Sequence, residues 1–400
     1  MRKWVFIIGV IIVGIGTFFV LYNREDQSEV VPSGQTPNQG ETTFTTQKIV
    51  LKDGSEFTLT LPKDYSITPV HEGFTNPRFM AVSPDKRLFV TDIYNAGDNT
   101  IGRIFVLDDF NELTKQFEQV TPYLQNLRNP NSIAFYEDRD NVTWLYVALT
   151  DKLVRYRYAF GSTTPQGKAE TILTFPSGVA RGGHTTRTVA FHNDKVYVSV
   201  GSSCNSCEEI IPERASILEM DPDGNNVRFY AKGLRNAVGL KWIGNDLFVT
   251  NMGVDHLGDD LPNDTFYKIR PGNNYGWPYC YASNGNIFED STKQWENQLV
   301  ACALVPIPDT EFSAHSAPLG FELFDASFLV ALHGSSNSNI GAGYKIVQIT
   351  EENTVADFIT GFLQEKEIYG RPVDILKNNE SSFFFTDDYK GVLYFVTSNK

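Results

Sequence analysis

The stretch His184–Gly201 reads HTTRTVAFHNDKVYVSVG: a polar opening, an apolar run, a short polar turn, and a second apolar run that ends on a small residue. The same pattern returns as NPRFMAVSPDKRLFVTD from Asn76, NPNSIAFYEDRDNVTWLYVAL from Asn129, RNAVGLKWIGNDLFVTN from Arg235, SAPLGFELFDASFLVALHG from Ser316 and RPVDILKNNESSFFFTDD from Arg371. That makes six copies, about 50 to 55 residues apart, with one longer step between the fourth and the fifth. A third strand-like run follows most copies, as in Arg103–Leu107, Lys268–Arg270 and Tyr344–Ile349. Short strands at regular intervals, separated by turn residues and without helical periodicity, point to an all-β chain, and six units predict a six-bladed β-propeller. Closing the ring covers the sheet edges, so a strand from the N-terminal segment, Phe57–Leu61 or Thr68–Gly73, is expected to complete the last blade. A pair of β-sandwich domains is the competing arrangement.

The rest of the chain fits around that ring. Trp4 to Tyr22 is almost wholly apolar and follows Arg2-Lys3, which predicts one N-terminal transmembrane helix over residues 1–22 with the remainder exported. No small-x-small cleavage pattern follows it, which favours a retained anchor over a cleaved signal. Residues 23–46 are rich in Gln, Thr, Ser, Pro, Gly and Asn and read as a disordered linker, leaving 47–400 for the propeller. The expected location is therefore membrane-anchored and extracytoplasmic. There the four cysteines pair by default, and local bridges Cys204 to Cys207 and Cys280 to Cys302 are expected. The CNSC stretch could also be half of a redox or zinc site, but no second ligand pair at similar spacing follows. A formal charge of -14 argues against nucleic acid as a partner and fits a small neutral ligand or a cation.

In a propeller the loops that open the inner strands share one face, so the residues opening the copies gather around a channel: His184 and Arg187, Arg235 and Asn236, His315 and Ser316, and Arg371. Arginines gathered in an acidic protein suit a carboxylated or oxyanionic ligand. The loop VDHLGDDLPND carries Asp255, Gly258, Asp259, Asp260 and Asp264, hard oxygen ligands of the kind calcium takes, although without the EF-hand spacing. Asp387-Asp388 reads as an ordinary turn. The long step holds GNNYGWPYC at Gly272–Cys280, a rigid insertion suited to wall one side of a pocket.

The ordered series GGHTTRT, GLRNAVGL, GNNYGWPYC, AHSAPLG, ALHGS, GYK and GRPVDI, spread over residues 60 to 398, resembles the glucose/sorbosone dehydrogenase family, closest to its sorbosone and pyranose dehydrogenase branch. The resemblance implies pyrroloquinoline quinone (PQQ) and calcium as cofactors. It further implies His184 as the base that takes a sugar hydroxyl proton while hydride leaves for the quinone, and Arg235 as the group that stabilises charge on the reduced cofactor. By the same resemblance Asn236 helps hold that end, Arg187, Lys345, His333 and Arg371 hold the cofactor, and the Asp255–Asp264 loop places the calcium ion. Ser336 stands where relatives often carry a tryptophan. The implied activity is sugar oxidation, with electrons passing to an acceptor that the sequence does not identify. A calcium-dependent lactonase on a six-bladed propeller, or a non-catalytic propeller that binds a carbohydrate or protein, are the other readings. The sequence gives no oligomeric state.

Overall fold

The computed structural model describes residues 42–175, 183–337 and 339–399. Among them are six four-stranded antiparallel sheets, one for each copy of the sequence pattern. Their first strands, Pro77–Val82, Ser132–Glu137, Arg187–His192, Ala237–Ile243, Pro318–Phe324 and Pro372–Asn379, each contact the next, and the last contacts the first. This is a closed six-bladed propeller. Closure uses the second of the two expected segments: Tyr65–Glu72 pairs antiparallel with Val392–Ser398, from Tyr65 opposite Ser398 to Glu72 opposite Val392. The other, Phe57–Leu61, falls in a separate hairpin of Phe44–Val50 with Glu56–Pro62, whose Ile49, Phe57, Leu59 and Leu61 pack on the flank of the fifth and sixth blades. That hairpin opens at Phe44, inside the stretch read as linker. Among the described residues no helix is long and apolar enough to cross a membrane; the expected span Trp4 to Tyr22 lies outside them.

The core is distributed between blades rather than gathered at one centre. In Leu88–Asp92, Phe89 packs with Leu145, Val147 and Tyr158 of blade two, while Leu88 and Val90 pack with Phe384 and Phe395 of blade six. Both faces of such a strand are covered, so it reads as a nearly continuous apolar run with aromatics, which pack in edge-to-face pairs across the blade interfaces.

A second motif, unread in the sequence, ties the inner strands together. Blades one, four, five and six carry a bulge in the first strand, between Pro77 and Met80, Ala237 and Leu240, Pro318 and Phe321, and Pro372 and Ile375. A bulge leaves an amide without a ladder partner. In blades one, four and six a buried threonine on the second strand takes it: Thr91 Oγ1 accepts from Phe79 N at 2.9 Å, Thr250 Oγ1 from Gly239 N at 2.9 Å, and Thr386 Oγ1 from Asp374 N at 3.2 Å. The same hydroxyls donate across to the next blade, to the carbonyls of Asn131 (3.0 Å), Leu319 (2.6 Å) and Arg78 (2.7 Å). Thr188 Oγ1 likewise donates to Val238 O at 2.6 Å, and Asn131 Nδ2 to Arg187 O at 3.1 Å. At the remaining junction the strands come very close: a Cβ on Gly320 would lie 2.3 Å from Asp374 Oδ1, so only glycine fits.

The residue after each of these threonines, in VTD, VTN and FTD, holds the start of its own first strand. Asp92 Oδ1 accepts from Asn76 N at 2.8 Å, Asn251 Oδ1 from Asn236 N at 3.1 Å, and Asp387 Oδ1 from Arg371 N at 2.7 Å. The functional end of the channel is thus fixed by the motif that closes the ring. Replacing Thr250 with the near-isosteric valine leaves Gly239 N–H and Leu319 C=O buried and unpaired, which costs about 1–3 kcal/mol. Thermal unfolding of Thr250→Val should show a midpoint lowered by several degrees, with the β-sheet circular dichroism of the folded protein unchanged.

Candidate functional site at the channel mouth

One cavity of about 240 Å³ opens where four of the six first strands begin, and His184, Arg235, Asp255, His315, His333 and Arg371 line it with Asp264, Met252 and Ser336. The expected convergence of strand-opening residues therefore occurs, although not every member of the group reaches the cavity.

His184 is set by a relay. Its Nδ1 lies 2.9 Å from Ser202 Oγ, and Ser202 Oγ donates to Cys204 O at 2.6 Å. A hydroxyl has one hydrogen, so Ser202 must accept from an Nδ1–H, which places the lone pair of the neutral ring on Nε2. Nε2 has no hydrogen-bond partner among the described residues. Burial, the Arg235 charge, and to a lesser degree the charges of Arg187 and Arg214 push the imidazole down to about 3, so it is neutral across the usual working range. Gly201 leaves space for this arrangement, since a Cβ there would come within 2.6 Å of both His184 Cβ and Asn236 Oδ1.

Arg235 donates through Nε to Asn205 O at 2.9 Å and through Nη2 to Asn205 Oδ1 at 2.7 Å and Asp255 Oδ2 at 2.8 Å. Burial lowers its pKa, with Asp255 and Asp264 working against the shift. On the opposite wall a buried chain of charge runs His333 Nε2 to Asp388 Oδ1 at 2.7 Å and Asp388 Oδ2 to Arg78 Nη1 at 2.7 Å. Arg371 braces the same wall by donating through Nε to His333 O at 3.1 Å and through Nη2 to the carbonyls of Gly334 and Ser335.

Several expected site residues stand elsewhere. Arg187 is fully buried behind the cavity, and its Nη1 donates to the carbonyls of His184 and Thr186, so it shapes the His184 loop instead of facing a ligand. The pattern RT before an apolar run puts this arginine first in the strand, where its side chain turns inward. Asn236 also lies one layer back, accepting from Thr186 Oγ1 at 3.0 Å. Lys345 pairs with Asp357 at 2.6 Å in a neighbouring cleft that Asp259, Asp260 and Ser316 also line.

The acidic loop does not converge as a calcium shell. Asp264 turns inward and accepts from Gly253 N and Ala317 N, both at 2.7 Å, Asp255 goes to Arg235 and His315, Gly258 O meets His315 Nε2 at 2.8 Å, and Asp259 and Asp260 face the other cleft. Among the described residues the one group of three His, Cys, Asp or Glu atoms close enough to share an ion is Cys204, Cys207 and Glu209. Its sulfurs are joined in a disulfide, as are those of Cys280 and Cys302, the pairing expected.

Asp387-Asp388 is no ordinary turn. Both side chains are buried, and their environments separate them. Burial, reinforced by neighbouring Asp388, raises Asp387 to about 7, whereas for Asp388 the same burial is outweighed by His333, Arg78 and Arg371, which hold it below the usual carboxylate range. The sequence signal was the run FTDD closing a copy that opens with arginine, but the second partner, Arg78, lies in the first copy, more than 300 residues away.

The family model described as TrAA12-like matches residues 59–399. A protein of Borreliella burgdorferi, itself uncharacterized, is 30% identical over 228 residues, which are 52% of this chain and 58% of that protein's length. Among solved structures, the calcium structure of the Trichoderma reesei carbohydrate-active enzyme of family AA12 superposes with a TM-score of 0.71 at 18% identity, covering 84% of this chain and 96% of that one. The holo form of the pyranose dehydrogenase PQQ domain from Coprinopsis cinerea gives 0.69 at 18% identity, over 85% and 97%. The apo soluble aldose sugar dehydrogenase of Escherichia coli gives 0.55 at 11%, over 84% and 99%. These likenesses establish the propeller fold.

The raised carboxyl sets a pH signature. Asp387 holds its proton in the folded state up to about pH 7 but releases it near 4 when unfolded, so its contribution to stability falls as pH rises between those values. Asp387→Asn, which keeps the accepting oxygen, should gain about 1 to 3 kcal/mol on the parent protein at pH 8 relative to pH 4. Denaturant melts of both proteins across that range measure it.

Proposed function

The chain belongs to the TrAA12-like family, and from that premise we propose that it is a quinoprotein that oxidises a sugar by hydride transfer, with His184 as the general base. The observation that carries this reading is the assembly, in one cavity, of an imidazole whose Nε2 has no partner among the described residues and the two guanidinium groups of Arg235 and Arg371. Names of the structural relatives support the cofactor: one is a PQQ domain in its holo form, and another is an aldose sugar dehydrogenase.

The donor set suits a flat anionic quinone. PQQ carries three carboxylates, and Arg235, Arg371, His315 and His333 bring cationic or donor groups to the cavity from three blades. Bound there, the quinone supplies the hydride acceptor. The chain's own residues do the remainder. His184 Nε2 takes the proton of the hydroxyl on the carbon that loses hydride, and the Ser202 relay keeps the ring in the tautomer able to do so. With a pKa of about 3 the ring alone is a weak base. Part of that depression comes from Arg235, so an anionic ligand beside the arginine offsets the positive field and raises the base toward its working range. Arg235 also faces negative charge as it develops, pre-oriented by Asn205 and Asp255.

Calcium receives no step in this scheme, because the carboxylates of the Asp255–Asp264 loop serve amides, Arg235, His315 or the neighbouring cleft. The calcium structure of the Trichoderma reesei relative speaks for that protein. The same dispersal disfavours a calcium-dependent lactonase. An exported, membrane-tethered location belongs to the proposal too, supported by the Trp4 to Tyr22 run and by two disulfides of the kind that persist in oxidising compartments.

Reconstitution with PQQ, followed by cofactor absorbance and dye reduction on a panel of aldoses, tests the reading; an unshifted absorbance at micromolar cofactor overturns it. His184→Asn should retain cofactor affinity within a few-fold and lose about 10²–10⁴ in kcat, the usual range for a general base. Arg235→Leu should weaken cofactor binding and turnover together.

A further inference from the structure

Both groups that the proposed reaction uses lean on one small loop, Cys204-Asn205-Ser206-Cys207, closed by its own disulfide. Four donors converge on Asn205. Its backbone carbonyl accepts from Arg235 Nε at 2.9 Å and Trp277 Nε1 at 3.2 Å, and its Oδ1 accepts from Arg235 Nη2 at 2.7 Å and Asp255 N at 3.0 Å. One step along the loop, Cys204 O receives the Ser202 hydroxyl that fixes His184.

Asn205 O and Oδ1 together form a two-toothed acceptor for one edge of the guanidinium, which sets its plane as well as its position. The remaining partner of Arg235, Asp255, has a side chain 62% exposed and is a correspondingly weaker clamp. The loop is itself braced. Glu209 accepts from Ser203 N and Ser203 Oγ at 2.5 and 2.7 Å, Lys293 donates to Ser206 O, and Cys204 packs with Ala215, Val254 and Trp277.

We propose that Asn205 is the positioning residue for Arg235, and that the Cys204–Cys207 bridge makes it one by holding both of its oxygens toward the arginine. The catalytic purpose of this arrangement rests on the function proposed above; the positioning does not. Asn205 Nδ2 has no partner among the described residues, so an aspartate keeps every bond the asparagine makes to Arg235.

Two readouts test it. The first is phenylglyoxal labelling of Arg235 in the full chain without cofactor, quantified on its peptide by mass spectrometry. Wild type and Asn205→Asp should label slowly and alike, whereas Asn205→Ala and Cys204→Ser/Cys207→Ser should label several-fold faster; Asn205→Ser carries the comparison if the alanine variant does not fold. The second is PQQ titration followed by absorbance. Asn205→Ala should weaken affinity about tenfold, the size of one charge-assisted hydrogen bond, and should cause no further loss when Arg235 is already leucine. Labelling of Arg235 that is unchanged in Asn205→Ala, or an equal further loss in the Arg235→Leu background, overturns the proposal. Labelling as expected in a wild-type protein that fails to take up PQQ supports the positioning and overturns the function.

Discussion

The innermost strand of a propeller blade meets a backbone problem that the rest of the sheet does not. Its outer edge pairs within the blade, while the other edge faces the channel and the neighbouring blades, where ladder hydrogen bonds end. Here buried threonine hydroxyls supply what the ladder cannot. Thr91, Thr250 and Thr386 each take the amide freed by a bulge and each give a hydrogen to a carbonyl of the next blade. A hydroxyl suits this role because it donates and accepts at once and is small enough to sit between two strands. Apolar packing between blades is non-directional and would tolerate sliding. The hydroxyls set the register that brings the strand openings to one level.

That register is what the cavity depends on. The Asp or Asn that follows each threonine caps the start of its own first strand, at Asn76, Asn236 and Arg371. Ring closure and site geometry thus share two consecutive residues on the second strands of three blades. Blade three departs from this pattern. There Val200 holds the register of the acid or amide, opposite Arg187, His184 N donates to Ser202 O at 2.9 Å, and the space left by the following Gly201 is filled by the imidazole.

The sequence made the architecture readable because a strand covered on both faces leaves a continuous apolar run, and six such pairs at even spacing have few alternatives. It also indicated which residues gather at the channel mouth, since topology alone brings strand openings together. Which of them face a ligand was not readable. Arg187, Arg235 and Arg371 all stand near strand starts, yet Arg187, the first residue of its strand, turns inward to carbonyls of its own loop. The difference depends on neighbours brought in from other blades, such as Asn205 for Arg235. The same holds for Asp388, whose partners Arg78 and His333 come from the first and fifth blades. For the acidic loop, composition suggested a shared ion, but the fold sends Asp264 to buried amides, Asp255 to Arg235 and His315, and Asp259 and Asp260 to a second cleft.

The charge balance of the cavity has a direction. In a chain of net charge -14, a cavity lined by one buried and one half-buried guanidinium group runs against the average. Burial lowers the pKa of Arg235 and of Arg371, so each charge sits at a cost that Asp255, for the first, and Asp388, for the second, only partly offset. Asp388 is already shared with Arg78 and His333. His184 shares that surrounding: burial first, and the Arg235 charge second, drive its imidazole down to about 3. Pairing is what normally allows charges to remain buried, and truncating one partner is costly because the other is left uncompensated. A ligand bearing carboxylates beside Arg235 and Arg371 would add to the partial pairing that the protein supplies, and in the proposed reaction it would offset the share of the His184 depression that comes from Arg235.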